Sequence, residues 1–294
     1  MGTVHRPLGE GSRRGCLVNP PAGRGGAAEF IEGIRRSIHL FQGFRTQFDD
    51  EEKYYRLLAD DTVALVEEWA PVAGQQIVDI GGGPGYFAQA FRRAGAASVF
   101  VEPFWESMGD SGRQLGYGVI GDGVRLPFAE GAFDISHSSN VLEHVTDPAA
   151  FVDEMVRVVR PGGLVFLAFT NWYSPFGGND TSPWHYLGGA WAAKRFERKH
   201  GHPPKNNFGT SLFVLHIGQV LALVKGRTDV DIVDTYPRYY PHWTRPLVKV
   251  PGLREVATWN LVVVMRRREF HVPGSSDGHN DQVVRQHSPT SIRP

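Results

Sequence analysis

The chain has 294 residues, and its 31 basic and 31 acidic side chains give a formal net charge of zero. A balanced charge supplies no general attraction for nucleic acid, and a single cysteine excludes an internal disulfide or a thiolate zinc site. No apolar run approaches the ~18 residues of a membrane span, and residues 1–25 lack the apolar segment of a signal peptide. We therefore expect a cytoplasmic protein with no nucleic-acid partner and no transmembrane segment.

The chain ends differ in composition from the interior. Residues 1–26 are rich in Gly, Pro and Arg, and residues 271–294 in Ser, Gly, Asn, Gln and His. Both ends are predicted to be disordered, which leaves one domain over residues 27–270. Residues 27–70 are predicted to be helical, because their apolar residues recur at helical spacing. One stripe comprises Phe30, Ile34, Ile38 and Phe41, and another comprises Tyr54, Leu57, Leu58, Leu65 and Val66.

A glycine-rich segment follows the first predicted strand. The run Ile77-Val78-Asp79-Ile80-Gly81-Gly82-Gly83-Pro84-Gly85-Tyr86-Phe87 passes from an apolar strand through an acidic residue and a glycine turn into the start of a helix. Glycines allow positive φ and a close approach of the backbone to a ligand. A dinucleotide motif, G-x-G-x-x-G, would place its third glycine where Tyr86 stands. Taken alone, the segment is also compatible with an ordinary glycine-rich turn between a strand and a helix.

A second predicted strand, Ser98-Val99-Phe100-Val101-Glu102, ends in a carboxylate 23 residues beyond Asp79. In doubly wound folds an acidic residue about 20 positions after the glycine loop accepts hydrogen bonds from a ribose diol. Enzymes that bind nicotinamide dinucleotides share this feature. Glu102 therefore indicates a ligand that contains a nucleoside, but it does not show which one. The alternative interpretation is that Glu102 is a surface glutamate at the end of a strand.

Two further segments follow in order. A strand through Ile120 ends in Gly121-Asp122-Gly123 and a Leu-Pro-Phe turn, for which a local Asx turn is the alternative. The next strand leads into Asn140 and His144. After it we predict a helix from Ala149 to Val159, stopped by Pro161-Gly162-Gly163, and a strand from Leu164 to Phe169.

These four segments, in this order and spacing, resemble the class I S-adenosylmethionine-dependent methyltransferases, and in particular the methyltransferase type 11 family over roughly residues 76–170. The resemblance implies an α/β fold with a Rossmann-like seven-stranded sheet whose seventh strand is antiparallel. It also implies N-terminal helices beside the cofactor pocket. The cofactor would be S-adenosylmethionine, and the product S-adenosylhomocysteine.

The resemblance assigns cofactor-binding roles to residues at the matching positions. The methionine end of the cofactor would meet Asp79, Gly81, Gly83 and Gly85. Glu102 would hold the ribose, and Asn140 would form the floor beside the sulfonium. The adenine would lie against Pro103, Asp122 and Gly123.

An aromatic-rich insertion, residues 171–210, follows the fifth strand. A loop of this length without secondary structure is unusual, so we predict a helix over Gly188–His200. Ser211 is predicted to cap a further helix, Leu212–Val224, before strands over Asp229–Asp234 and Leu261–Met265. The aromatic residues are either a substrate pocket or the core of a small cap. The basic run 194–205 is either a solvated helix face or a contact for an anionic substrate or lipid headgroup.

Methyl transfer from a sulfonium needs no protein nucleophile, but a hydroxyl acceptor needs a base. His144 is the first candidate, with a purely structural role as the alternative, and His185 and Tyr186 are second candidates. No metal site is predicted. The leading acceptor is a glycolipid or sugar hydroxyl, as the insertion resembles that of uncharacterised actinobacterial and mycobacterial methyltransferases. The alternatives are a small-molecule natural product as acceptor, a nicotinamide-dependent oxidoreductase and a non-catalytic scaffold. The oligomeric state is not readable from the sequence.

Overall fold

A computed structural model of the chain describes residues 27–45 and 50–269. The disorder predicted for residues 1–26 and 271–294 falls outside these ranges, as do Cys16 and residue 270.

The described residues form a seven-stranded sheet in the order β3-β2-β1-β4-β5-β7-β6. Strands β1 to β5 pair in parallel, and β7 is antiparallel to both β5 and β6. The predicted fold, including the antiparallel seventh strand, is confirmed. The strands are β1 Gln76–Ile80, β2 Ala97–Glu102, β3 Gly118–Ile120, β4 Phe133–Ser139, β5 Val159–Thr170, β6 Val230–Pro237 and β7 Asn260–Arg267.

Helices cover both faces of this sheet. One face packs against α5 and α7, which contribute Phe151, Met155 and Val220 to the core. The other packs against α2 and α3, through residues such as Leu58 and Phe91. Burial on both faces explains why the central strands are continuous apolar runs. The helices are α1 Ala27–Arg45, α2 Glu51–Glu67, α3 Tyr86–Arg93, α4 Gly109–Gln114, α5 Pro148–Arg157, α6 Gly189–His200, α7 Ile217–Lys225 and α8 Leu253–Ala257.

Strand β5 begins five residues before the predicted Leu164. Phe133 of β4 pairs with Val159 and Ile135 with Leu164, so the intervening residues form a bulge. Gly162 adopts a φ of 77° within it. The Pro-Gly-Gly sequence therefore interrupts a strand that has already begun. Helix α5 starts as expected, because the Asp147 side chain accepts from the backbone N–H groups of residues 149 and 150.

The prediction that Ser211 caps a helix starting at Leu212 is wrong, because α7 begins at Ile217. The preceding segment makes other backbone bonds: Phe213 N–H donates to the carbonyl of residue 143, and Leu215 accepts from residue 172. The carboxylate of Glu255 instead accepts from the first two amides of α7, at 2.9 and 2.8 Å. Helix α6 matches the helix predicted for the insertion.

Helix α1 is oriented by an ion pair. Arg36 donates to both carboxylate oxygens of Asp61 on α2, at 2.6 and 2.8 Å, and to the carbonyl of Arg238 at 3.0 Å. The buried contacts of α1 are made by Gly33 and Leu40. Three members of its predicted apolar stripe are instead about half exposed: Phe30, Ile38 and Phe41.

We expect Arg36→Lys to lower the free energy of unfolding by about 1–2 kcal/mol, because lysine cannot make the two-pronged bond to Asp61. Arg35→Lys is the matched control, since Arg35 is its exposed neighbour and surface changes alter stability by about 0.5 kcal/mol or less. Urea denaturation measures both. Equal midpoints for the two variants would contradict the assigned role of Arg36.

Candidate active site

A cleft of about 660 Å³ lies at the amino ends of β1, β4 and β5. A second cleft of about 590 Å³ opens at the carboxyl ends of β1, β2 and β4. The strand order reverses between β1 and β4, where ligands bind in open α/β sheets. Four of the predicted cofactor residues line this cleft: Gly81, Gly83, Glu102 and Asn140. Its other walls come from the first turns of α2 and α3, from residues 106–109 and from Lys205 of the insertion.

The glycine loop has the left-handed backbone that its sequence predicts. Gly81, Gly83 and Gly85 have φ values of 75°, 53° and 80°. A Cβ on Gly81 would also lie 2.4 Å from the Val141 side chain. Backbone N–H groups of Gly81 and Gly82 donate to the carbonyl of residue 101, which holds the loop against β2.

Glu102 joins this loop to the second strand. Its Oε1 atom accepts from Gly83 N–H at 2.7 Å, and the side chain is buried in the cleft wall. Burial raises the pKa of Glu102 to about 7; the nearby charge of Asp79 adds to this shift, and the Gly83 hydrogen bond opposes it. The other oxygen, Oε2, has no hydrogen-bond partner among the described residues, so it is available to a ligand.

Asp79 lies beneath the glycine loop. Its Oδ1 atom is 2.8 Å from Nδ1 of His137, and both side chains are buried. The His137 ring is surrounded by Phe87, Phe91 and Phe166. His137 was not among the predicted site residues, although the polar run from residue 136 to 139 inside a central strand is a signal that could have identified it. The second carboxylate oxygen of Asp79, Oδ2, has no hydrogen-bond partner among the described residues and lies beneath Gly82, where an added Cβ would be 2.7 Å from it.

Five of the predicted cofactor residues flank the cleft without lining it. Asp79 lies beneath Gly82, and Gly85 ends the glycine loop as the residue before α3. Asp122 is exposed and accepts from Val124 N–H in an Asx turn, which was the alternative considered for it. A Cβ on Gly123 would lie 2.5 Å from the Phe151 ring, so packing requires this glycine. Pro103 is exposed directly after β2.

Asn140 stands at the junction between the cleft and a smaller polar pocket, and lines both. Its φ of 57° is unusual for a residue with a side chain. Three hydrogen bonds hold it there. Its Oδ1 accepts from Asn260 Nδ2 at 2.7 Å and from Thr170 Oγ1 at 3.3 Å, and its backbone N–H donates to residue 168.

The polar pocket has a volume of about 130 Å³ and contains His144. The Nδ1 atom of His144 lies 2.6 Å from the carbonyl oxygen of Ser211. Because a carbonyl only accepts, Nδ1 must carry the proton, and in the neutral ring Nε2 is then an acceptor. No described residue hydrogen-bonds to Nε2. His144 therefore has the tautomer that a general base requires.

Glu143 lies beside His144 in the same pocket, and sequence analysis missed it. Its Oε1 accepts from Thr170 N–H at 3.1 Å, while Oε2 has no partner among the described residues. Burial raises the pKa of Glu143, and the charge of His144 opposes this rise. A buried glutamate directly after the fourth strand has no local pattern that distinguishes it from a surface residue.

His185 and Tyr186, the second candidates for the base, lie in the insertion away from the cleft and the polar pocket. His185 is buried, with Nε2 3.1 Å from the carbonyl oxygen of Trp172, and burial lowers its pKa. Its ring packs edge-on to Trp172. Tyr186 is half exposed and donates to the carbonyl of residue 173. Neither side chain lines the cleft or the polar pocket.

Arg238, another residue missed by sequence analysis, is fully buried behind the cleft. It donates to the hydroxyl groups of Thr62 and Ser139, and Ser139 lines the cleft. Within residues 27–45 and 50–269 it forms no ion pair. A buried guanidinium without a counter-ion is costly unless an anion lies nearby.

The insertion reaches across the mouth of the cleft. Lys205 lies on the cleft wall, and its Nζ is 3.6 Å from a carboxylate oxygen of Glu51 at the start of α2. Elsewhere in the basic run, Arg195 stacks 4.0 Å from the ring centre of Trp184. In the described part of the chain no group of three or more His, Cys, Asp or Glu side chains could hold a metal ion, and no helix is long and apolar enough to cross a membrane.

Comparisons with known proteins agree with this architecture. Residues 78–167 match a family model described as a methyltransferase domain. Two solved structures resemble the chain at low sequence identity and therefore show the fold alone. One is an S-adenosylmethionine-dependent methyltransferase from Mesorhizobium loti, with a TM-score of 0.50 at 21% identity over 71% of this chain and 98% of that one. The other is a protein from Pyrococcus horikoshii, with a TM-score of 0.52 at 16% identity over 76% and 95%.

Two proteins known by sequence are more similar to this chain than these two structures are. An uncharacterized methyltransferase from Mycobacterium tuberculosis is 45% identical over 242 residues, which cover 79% of this chain and 94% of the relative. Another from Mycolicibacterium vanbaalenii is 43% identical over 243 residues, with the same two coverages. These matches speak against the nicotinamide-dependent oxidoreductase that Glu102 alone had left open. The chain belongs to the methyltransferase family that these mycobacterial relatives represent.

Proposed function

We propose that the protein transfers a methyl group from S-adenosylmethionine in the cleft to a hydroxyl group in the polar pocket, and that His144 is the base. The observation that carries this proposal is the position of Asn140, which lines both cavities. A donor in one cavity and an acceptor in the other would meet at this residue. S-adenosylmethionine supplies a methyl carbon that its sulfonium charge has already activated.

The chemistry of the cleft suits a nucleoside that carries an amino acid. Glu102 presents a carboxylate oxygen to a ribose diol. Gly81 and Gly83 line the cleft through the glycine loop, and the adenine would lie toward Pro103, Asp122 and Gly123 beyond the cleft wall. At the other end Ser139 lies over the buried charge of Arg238, which favours the carboxylate of the methionine moiety. The unpaired charge of Arg238 therefore supports a ligand that ends in an amino acid.

His144 supplies what a hydroxyl acceptor needs. A hydroxyl group in the polar pocket would donate to Nε2, while Ser211 holds the opposite side of the ring. Once Nε2 takes the proton, the adjacent Glu143 stabilises the imidazolium. The pocket also contains Asn179, Asp180 and Asn206, which suit an acceptor with several hydroxyl groups. These groups support a sugar or glycolipid hydroxyl as the methylated position.

Binding of S-adenosylhomocysteine should weaken as the pH falls. The pKa of Glu102 is about 7 in the unliganded protein, and the ionised carboxylate is the better acceptor for two ribose hydroxyls. Lowering the pH from about 8 to about 6 protonates it, and the dissociation constant should rise by up to about tenfold. Calorimetry measures this. Glu102→Gln should bind more weakly and lose the dependence; an unchanged dependence in the variant would refute the ribose assignment.

The variant His144→Asn should lower the turnover number by about 10²–10⁴-fold, because its amide can still donate to Ser211 but offers no Nε2 base. Tyr186→Phe is the control and should retain full turnover. Calorimetric titration with S-adenosylhomocysteine should give the same affinity for both variants and the native protein. Loss of turnover in Tyr186→Phe alone would transfer the catalytic assignment to that residue.

The acceptor class can be tested with S-adenosylmethionine that carries a labelled methyl group. The protein is incubated with either a polar-lipid extract or an aqueous metabolite extract. Label in the lipid fraction supports the glycolipid proposal, and label only in the aqueous fraction supports the natural-product alternative. Cofactor binding without transfer to either extract would favour the non-catalytic scaffold.

A further inference from the structure

We propose that a groove between α1 and the acceptor-side loops binds the aliphatic chain of an amphiphilic acceptor, whose polar end enters the polar pocket. The proposal rests on the proposed function, because it names the acceptor class for the same site. The groove has a volume of about 260 Å³. It is lined by Ser37, Ile38, Leu40, Phe41, Phe44, Phe176, Tyr239, Tyr240 and Trp259.

The lining of the groove matches a hydrocarbon. None of its lining side chains carries a charge. The Ser37 hydroxyl already donates to the carbonyl of residue 33, and burial raises the pKa of Tyr240 to about 12, which keeps its phenol neutral. A sugar ring needs several hydrogen-bonding partners around its edge, and this groove does not offer them. A hydrocarbon chain needs none.

Aromatic rings form one continuous wall. The ring centres of Phe44 and Phe176 are 3.9 Å apart, and Trp259 lies 5.5 Å from Phe176 and 6.1 Å from Phe41. The rings come from α1, the insertion and the turn before β7, so the wall exists only in the folded chain. Flat aromatic surfaces that enclose an apolar space are suited to hydrocarbon groups.

Helix α1 exposes its apolar stripe toward this groove. Ile38 and Phe41 line the groove and remain 51% and 48% exposed. The Arg36–Asp61 ion pair fixes the helix in this orientation. An apolar helix stripe that an ion pair holds at the mouth of an apolar cavity is a binding surface rather than a core.

The groove adjoins the proposed reaction site and shares part of its wall with it. Phe44, Phe176 and Tyr239 line both the groove and the polar pocket. Tyr55 and Asn140 line both the polar pocket and the cofactor cleft. A chain in the groove would therefore place an attached polar group beside His144. This shared wall favours the acceptor's own chain as the occupant, in preference to a separate partner.

The volume of the groove limits the size of its occupant. An apolar cavity of ~150 Å³ holds benzene, with its six carbons. By proportion the groove would hold roughly ten carbon atoms. A longer chain would extend along the exposed stripe of α1.

The test uses calorimetry of the full chain with 1-alkanols of increasing length, and with S-adenosylhomocysteine as a separate titration. Affinity should rise about fourfold per methylene, from the transfer free energy of a CH₂ group, and level off near roughly ten carbons. Ile38→Asp should weaken binding of 1-decanol at least tenfold, because it places a carboxylate in the groove wall. Val256→Asp is the matched control, since Val256 is exposed and lies outside the groove; it should bind like the native protein.

A second measurement locates the chain. A decanol that carries bromine at its far end should quench the fluorescence of Trp259, and this quenching should disappear in Trp259→Phe. Affinity independent of chain length, equal affinity in Ile38→Asp, or unchanged quenching in Trp259→Phe would each overturn the proposal. If S-adenosylhomocysteine binds normally while decanol does not, only this inference fails. If S-adenosylhomocysteine does not bind, the proposed function itself fails.

Discussion

The hydrogen bond from Gly83 N–H to the buried carboxylate of Glu102 is the interaction on which the site depends. It fixes the glycine loop, whose only side chain is that of Pro84, against the end of the second strand. The same contact places a carboxylate with a raised pKa in the wall of the cleft. Because the loop has left-handed glycines, its backbone can turn here while the cleft stays open.

Three neighbouring cavities extend from this loop toward α1, and each has a different chemistry: the cleft shares lining residues with the polar pocket, and the polar pocket shares others with the groove. The cleft is shaped by backbone and a carboxylate, the polar pocket by His144 and Glu143, and the groove by aromatic rings. Asn140 lies where the first two join, in a backbone conformation that three hydrogen bonds maintain. A methyl donor, a hydroxyl and a hydrocarbon chain would each meet a surface of matching polarity along this path.

Charged side chains position α1, the start of α7 and the end of the basic run, whereas burial stabilises the sheet. Arg36 joins α1 to α2, Glu255 caps α7, and Lys205 approaches the start of α2. Each bond joins segments that are far apart in the sequence. The ion pair of Arg36 leaves the apolar stripe of α1 uncovered, so the helix serves as a wall of the groove.

The sequence by itself determined the sheet, the glycine loop, the position of Glu102 and the family, because apolar periodicity and short motif spacing are local properties of a chain. The cap of α7, the tautomer of His144 and the pairing of Asp79 with His137 were decided only by tertiary structure. Ser211 lies 67 residues from His144, and His137 lies 58 residues from Asp79. Hydrogen bonds between such distant residues leave no periodic trace in a sequence, since they form only when strands and loops that are separate in the chain are brought together by packing.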